Sequence, residues 1–174
     1  AVEANPNLIP SVAPEWQRSI KLLNFACSGK TGEEIDFYIE SRQSGISTAS
    51  LDFINNSRFT KGSQFLQPAS AMWNKPIKVE TITLDSLIQQ YGKPDLIKVD
   101  VEGHELEVIK GLSTKVDKIC LEWHEEDFES LEAIVTHLSE IGYAQFGVIG
   151  FFVQTDTPKE LTHSDKGDPY LEEP

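Results

Sequence analysis

The sequence predicts an α/β fold: a largely parallel sheet with helices on both sides. Three observations carry this. Strand-like and helix-like stretches alternate along the chain. The run Leu96–Val101 is apolar apart from Lys98 and Asp100, a pattern suited to a central parallel strand buried on both faces. Between two further strand-like runs, residues 128–141 place Leu131, Ile134, Val135, Leu138 and Ile141 along one helical stripe, closed by Gly142. Strands separated by helices build parallel sheets because each parallel connection needs a crossover.

The elements follow in order. Glu3–Asn7 reads as a strand end running into a loop, and Ile9–Ser19 as a short helix with Ser11 as its N-cap. Ile20–Ala26 is an apolar strand, and the following SGKTGEE segment is a turn. Over Ile35–Ile39 the apolar residues alternate, with Ile35, Phe37 and Ile39 on one face. Ser41–Trp73 is polar with no sustained period, as in a functional loop. Val79–Thr83 reads as a strand and Leu84–Tyr91 as a helix, stopped by Gly92 and Pro94. A helix over His104–Leu112, a strand over Lys118–Trp123 and one or two final strands over Tyr143–Val153 complete the domain, 1–153. Residues 154–174 form a polar tail.

A chain of 174 residues suits one core. Its 39% hydrophobic and 25% charged residues are those of a globular domain. A net charge of −13 and the lack of any Lys/Arg-rich run argue against a nucleic-acid partner. No apolar run reaches membrane-spanning length. Cys27 and Cys120 are far apart, form no CxxC pair and read as buried thiols in a cytoplasmic protein. The oligomeric state is not written in the sequence.

Ligands of such sheets bind beyond the carboxyl ends of the strands. Three strand ends are polar: Val2-Glu3-Ala4-Asn5-Pro6, Val99-Asp100-Val101-Glu102-Gly103 and Leu121-Glu122-Trp123-His124. The second packs Asp100, Glu102 and Glu105 into six residues at a strand-to-helix turn, where Gly103 permits a tight turn. For Glu105 the plain reading is a carboxylate stabilised at a helix N-terminus. Lys98 shares a strand face with Asp100 and can neutralise either Asp100 or Glu122 on the neighbouring strand. Carboxylates so gathered repel unless a cation or proton intervenes, so Asp100 and Glu122 are the residues a Mg²⁺ would use. His104 and His124 both follow strand ends and are candidate bases.

The run DLIKVDVEGHELEVIKGL resembles the signature of FkbM-type S-adenosylmethionine-dependent methyltransferases, with Lys98, Asp100, Glu102, Gly103, Glu105 and Gly111 at its fixed positions. KVETITLDSLI, ICLEW, NFACSGKTGEEIDFYI and VEANPNLI resemble other segments of that family, in the same order. The resemblance implies a Rossmann-like class I methyltransferase sheet, mostly parallel with a C-terminal antiparallel strand. It also implies that the family's first strand and glycine-rich loop lie upstream of Glu3, so that this chain is a truncated domain. By the same resemblance Glu3 would bind the cofactor ribose, with Asn5 shaping the loop. Ala26, Cys27 and Ser28 would line the adenine, and Asp100 would face the methionine amine or the acceptor. Asp100, Glu102, His104 and His124 are then the catalytic candidates. The polar stretch 41–73 would be the lid, and Trp73 and Trp123 pocket walls.

The expected activity is O-methylation of a small-molecule or sugar hydroxyl. The rivals are an inactive methyltransferase-like binding module, a Rossmann-type oxidoreductase, which lacks its GxGxxG here, and a metal-dependent hydrolase, which lacks HExxH.

Overall fold

A computed structural model describes residues 1–11, 18–41, 44–61, 73–124 and 127–148. They fall in two units, Ala1–Gly142 and the segment from Tyr143 onward. The first carries every helix and strand among the described residues, in a mixed α/β arrangement. Of the second, residues 143–148 are described and hold neither; 149–153, where a final strand was expected, lie outside the described residues, as does the tail.

One sheet has β3 (Ile77–Ile82) at its centre, parallel to β1 (Ala26–Cys27) and antiparallel to β2 (Glu34–Phe37). The alternation read from the sequence places Phe37 inward, where it packs with Ala26, Val79, Ile35 and Ile39. Beside this sheet Val2 makes a single parallel bridge to Leu23, with Glu3 N donating to Leu23 O at 2.9 Å. The second sheet pairs β4 (Leu96–Val99) with β5 (Lys118–Leu121) in parallel, Leu96 opposite Lys118 and Val99 opposite Leu121. Its crossover is α4 (Glu105–Lys110), which packs against α5 (Phe128–Glu140). Val108, Ile109, Leu112, Val116, Ile134 and Leu138 are buried.

Helix α3 (Leu84–Tyr91) begins where Thr83 Oγ1 accepts from Ser86 N (3.0 Å), and it ends at Gly92, as its sequence signals require. None of the described helices is long and apolar enough to cross a membrane.

Several expectations change. The polar stretch is not structureless: it holds α1 (Leu51–Asn56) and α2 (Arg58–Lys61). Each is too short to display a 3.6-residue period, and α1 forms because Ser50 caps it and Phe53 buries. Residues 42–43 and 62–72 of that stretch lie outside the described residues. The helix expected over 9–19 appears as a 3₁₀ turn, Ile9–Ser11, in which Ser11 Oγ donates to Leu8 O (2.6 Å) instead of capping; 12–17 lie outside the described residues. The strand over 20–26 contracts to the Leu23 bridge and the start of β1.

Strand β4 is not buried on both faces. Leu96 is 56% exposed and Lys98 is exposed, as are Lys118 and Cys120 opposite them. One face of the β4–β5 pair is therefore solvent-facing among the described residues, and Cys120 is not the buried thiol expected.

Candidate functional site

The parallel register of β4 and β5 ends both strands at one level, and Glu122 N donating to Val99 O (3.0 Å) extends the pairing by one residue. The polar residues that follow each strand therefore meet. His124 Nε2 lies 3.2 Å from Glu102 Oε2, with side chains 6% and 13% exposed. Neither buried atom has another hydrogen-bond partner within the protein. Contact with the Glu102 carboxylate pushes the His124 pKa up, against burial and the Arg58 charge, which pull it down. Arg58 Nη2 lies 3.3 Å from His124 Nδ1. A guanidinium only donates, so Nδ1 accepts and the neutral ring carries its proton on Nε2, toward Glu102.

Backbone strain fixes this pair. Glu102 has φ 53° and Gly103 φ 85°, two consecutive left-handed residues. For a glutamate this costs roughly 1–2 kcal/mol. Two contacts from the polar stretch hold it there. Thr48 Oγ1, fully buried, donates to Glu102 O at 2.7 Å. Phe53 lies over Gly103 so closely that a Cβ there would sit 2.8 Å from Phe53 Cβ. The Phe53 ring also lies 5.3 Å from the His124 ring, tilted at 51°.

Against these residues opens a cleft lined by Ser50, Phe53, Ser57, Glu105, Trp123 and His124. Glu105 is buried, not merely perched at a helix N-terminus; burial pushes its pKa up, although Val101 N donates to its Oε1 at 3.3 Å.

Asp100 and Glu122 are exposed beside Glu102, with a carboxylate oxygen of each within 4.8 Å of the others. Of the two partners open to Lys98, it takes Asp100. The pKa of Glu122 is raised by partial burial, then by the Asp100 and Glu102 charges. His104 stands apart, outside the cleft lining, at the N-cap position of α4, where it makes no capping bond. Its Nε2 is buried without a hydrogen-bond partner, and burial lowers its pKa.

The remaining sequence candidates lie at the other strand ends. Glu3 Oε1 accepts from Asn5 N (2.6 Å), and buried Asn5 accepts from Asn7 N through Oδ1 (3.0 Å). Ala26 is in the core, and Ser28 N donates to Ile82 O (3.0 Å). Burial raises the Cys27 thiol to about 11, so it is no nucleophile. Trp123 lines the cleft, its Nε1 donating to Asp127 O (2.9 Å), whereas Trp73 donates to Ile46 O (3.1 Å).

Sequence reasoning missed Thr48, Phe53, Ser57 and Arg58 individually. The only local signal was Ser50 three residues ahead of an apolar residue, a capped helix start.

Residues 1–144 match the methyltransferase FkbM domain. The chain belongs to the FkbM methyltransferase domain family. Within this FkbM domain, a stretch of 43 residues is 44% identical to the hexuronic acid methyltransferase AglP of Haloferax volcanii. That stretch is 24% of this chain and 18% of the AglP sequence, so the likeness spans under a fifth of that relative's length. No solved structure matches the FkbM chain significantly.

Proposed function

We propose that this FkbM domain transfers a methyl group from S-adenosylmethionine to a hydroxyl of a sugar-like small molecule held in the cleft. The observation that carries the reading is that His124, in the lining of a cleft at the ends of two parallel strands, lies 3.2 Å from the nearly dry Glu102 carboxylate. We read the two sheets as parts of one Rossmann-like sheet.

The residues present suit the cofactor. A carboxylate fixed at a strand's end accepts hydrogen bonds from a ribose diol, and the Glu3 carboxylate is held in place by Asn5 N. The Asp100–Glu102–Glu122 cluster has one lysine, Lys98, against three acids, and welcomes the cofactor's cationic end. When bound, S-adenosylmethionine supplies an electrophilic methyl group on a sulfonium. Cys27 and Ser28, half-buried at the end of β1, offer surface to the adenine.

The chain's own part is positioning and proton removal. The cleft holds the acceptor hydroxyl in line. As the oxygen gains its methyl group, its proton passes to the Glu102–His124 pair. Glu102 takes it, and His124, whose Nδ1 accepts from Arg58, orients the Glu102 carboxylate with its Nε2–H. Lys98 already neutralises Asp100, so no step is routed through a metal. The carbohydrate acceptor is supported by the name of the relative and by a cleft that sets aromatic residues among hydroxyls and carboxylates.

Labelled-methyl transfer to a panel of monosaccharides and uronic acids tests this. His124→Gln should lower kcat about a hundred- to ten-thousand-fold. Undiminished turnover would remove the pair from the chemistry. No turnover in the wild type, with cofactor still bound, would favour the binding-module reading.

A further inference from the structure

Ser57 is the anomaly of the cleft. It directly precedes α2, where a serine hydroxyl ordinarily accepts from the first-turn amides. Ser50, Thr83 and Asp127 do so before α1, α3 and α5, at 3.1, 3.0 and 3.2 Å. Ser57 does not. Its backbone is fully employed, N donating to Phe53 O and the carbonyl accepting from Thr60 N and Lys61 N, each at 3.0 Å. The residue is 4% exposed and belongs to the cleft lining, yet its Oγ has no hydrogen-bond partner.

A buried hydroxyl left unpaired is costly, and native proteins retain few of them. One kept in a cap position without capping serves something else. From these observations we infer that the Ser57 hydroxyl is a specificity-determining contact of the cleft, hydrogen-bonding a second hydroxyl of a polyol acceptor, distinct from the one that is methylated. The inference rests on the acceptor cleft of the proposed function.

The chemistry suits a hydroxyl partner. Ser57 Oγ can both donate and accept, and so can a sugar hydroxyl, whereas a carbonyl only accepts. In the free protein the hydroxyl is closed to solvent and unanswered, and the acceptor supplies its partner when the cleft side chains part to admit it. A site built to bond a hydroxyl discriminates against analogues that lack it.

The test sets stability against binding. ¹⁵N-labelled protein is titrated with D-glucose and D-glucuronate, following Ser57, Phe53 and the Trp123 indole by NMR. The variants are Ser57→Ala and, as a true cap, Ser50→Ala. Ser57→Ala should melt at or above the wild-type temperature, because no hydrogen bond within the protein is lost, while Ser50→Ala melts lower. Ser57→Ala should also bind the sugar about 2- to 12-fold more weakly, the equivalent of one net hydrogen bond. Equal sugar binding by wild type and Ser57→Ala overturns the assignment and leaves the cleft as acceptor site. A Ser57→Ala melting temperature as depressed as that of Ser50→Ala makes Ser57 a structural cap and overturns it too. Absence of any shift in the wild-type cleft with either sugar overturns the polyol reading of the cleft itself, and Ser57 falls with it.

Discussion

The strand ends beside β1 and those beyond β4 and β5 are built from similar residues and behave differently. At the first, Glu3 and Asn5 are satisfied within their own loop: the Glu3 carboxylate takes Asn5 N, and Asn5 takes Asn7 N. At the second, two strands in register deliver Asp100, Glu102, Glu122 and His124 to one place, with Lys98 paired to one of them. Charges satisfied locally make a rigid loop. Where charges answer one another across strands, the Glu122 and His124 pKa values are raised and the Glu102 backbone is strained, the setting in which proton chemistry is found.

Glycine substitutions break the comparison most strongly. Gly32, in the turn before β2, has φ 81° with nothing within 4 Å of an added Cβ. Gly32→Ala should cost about 1 kcal/mol, the left-handed penalty alone. Gly103→Ala adds a clash with Phe53 and should cost about 2–4 kcal/mol in urea denaturation. Equal costs would mean that Phe53 does not brace the acidic turn.

A smaller effect separates the two buried histidines by pH. The His124 pKa is raised in the folded state, so its stabilisation is complete below the unfolded pKa of about 6.5 and is lost as pH rises through the folded value. The His104 pKa is lowered by burial, so folding resists its protonation and stability falls as pH drops below about 6.5. Between about pH 8.5 and pH 6, His124→Gln should lose stability relative to wild type, and His104→Gln should gain it. Like signs in the two variants would refute the Glu102 contact.

The smallest expected effect is none. Exhaustive chelation with EDTA should leave turnover unchanged, because Lys98 holds Asp100 and no step passes through Mg²⁺. Loss of activity restored by added Mg²⁺ would show instead that the acidic cluster is a metal site.

Local signals in the sequence located the elements that carry strong ones. Helices α3 and α5 end where their closing glycines place them, and α5 follows its apolar stripe. The signals failed where elements are too short to be periodic, as for α1 and α2, and where burial depends on what covers a face, as for Leu96 and Cys120. The His124 and Glu102 candidates were legible because both follow strand ends. Their contact was not, because it depends on the register of two strands more than twenty residues apart.

By itself, then, the sequence determined the alternation of strands and helices, the acidic turn and the family signature, since these depend on residues near one another in the chain. Only the tertiary structure decided that Glu102 meets His124, that Lys98 takes Asp100, and that Thr48, Phe53 and Ser57 wall the site. The Glu102, Thr48 and Phe53 contacts join segments up to 54 residues apart, and no local propensity encodes the register and packing that bring them together.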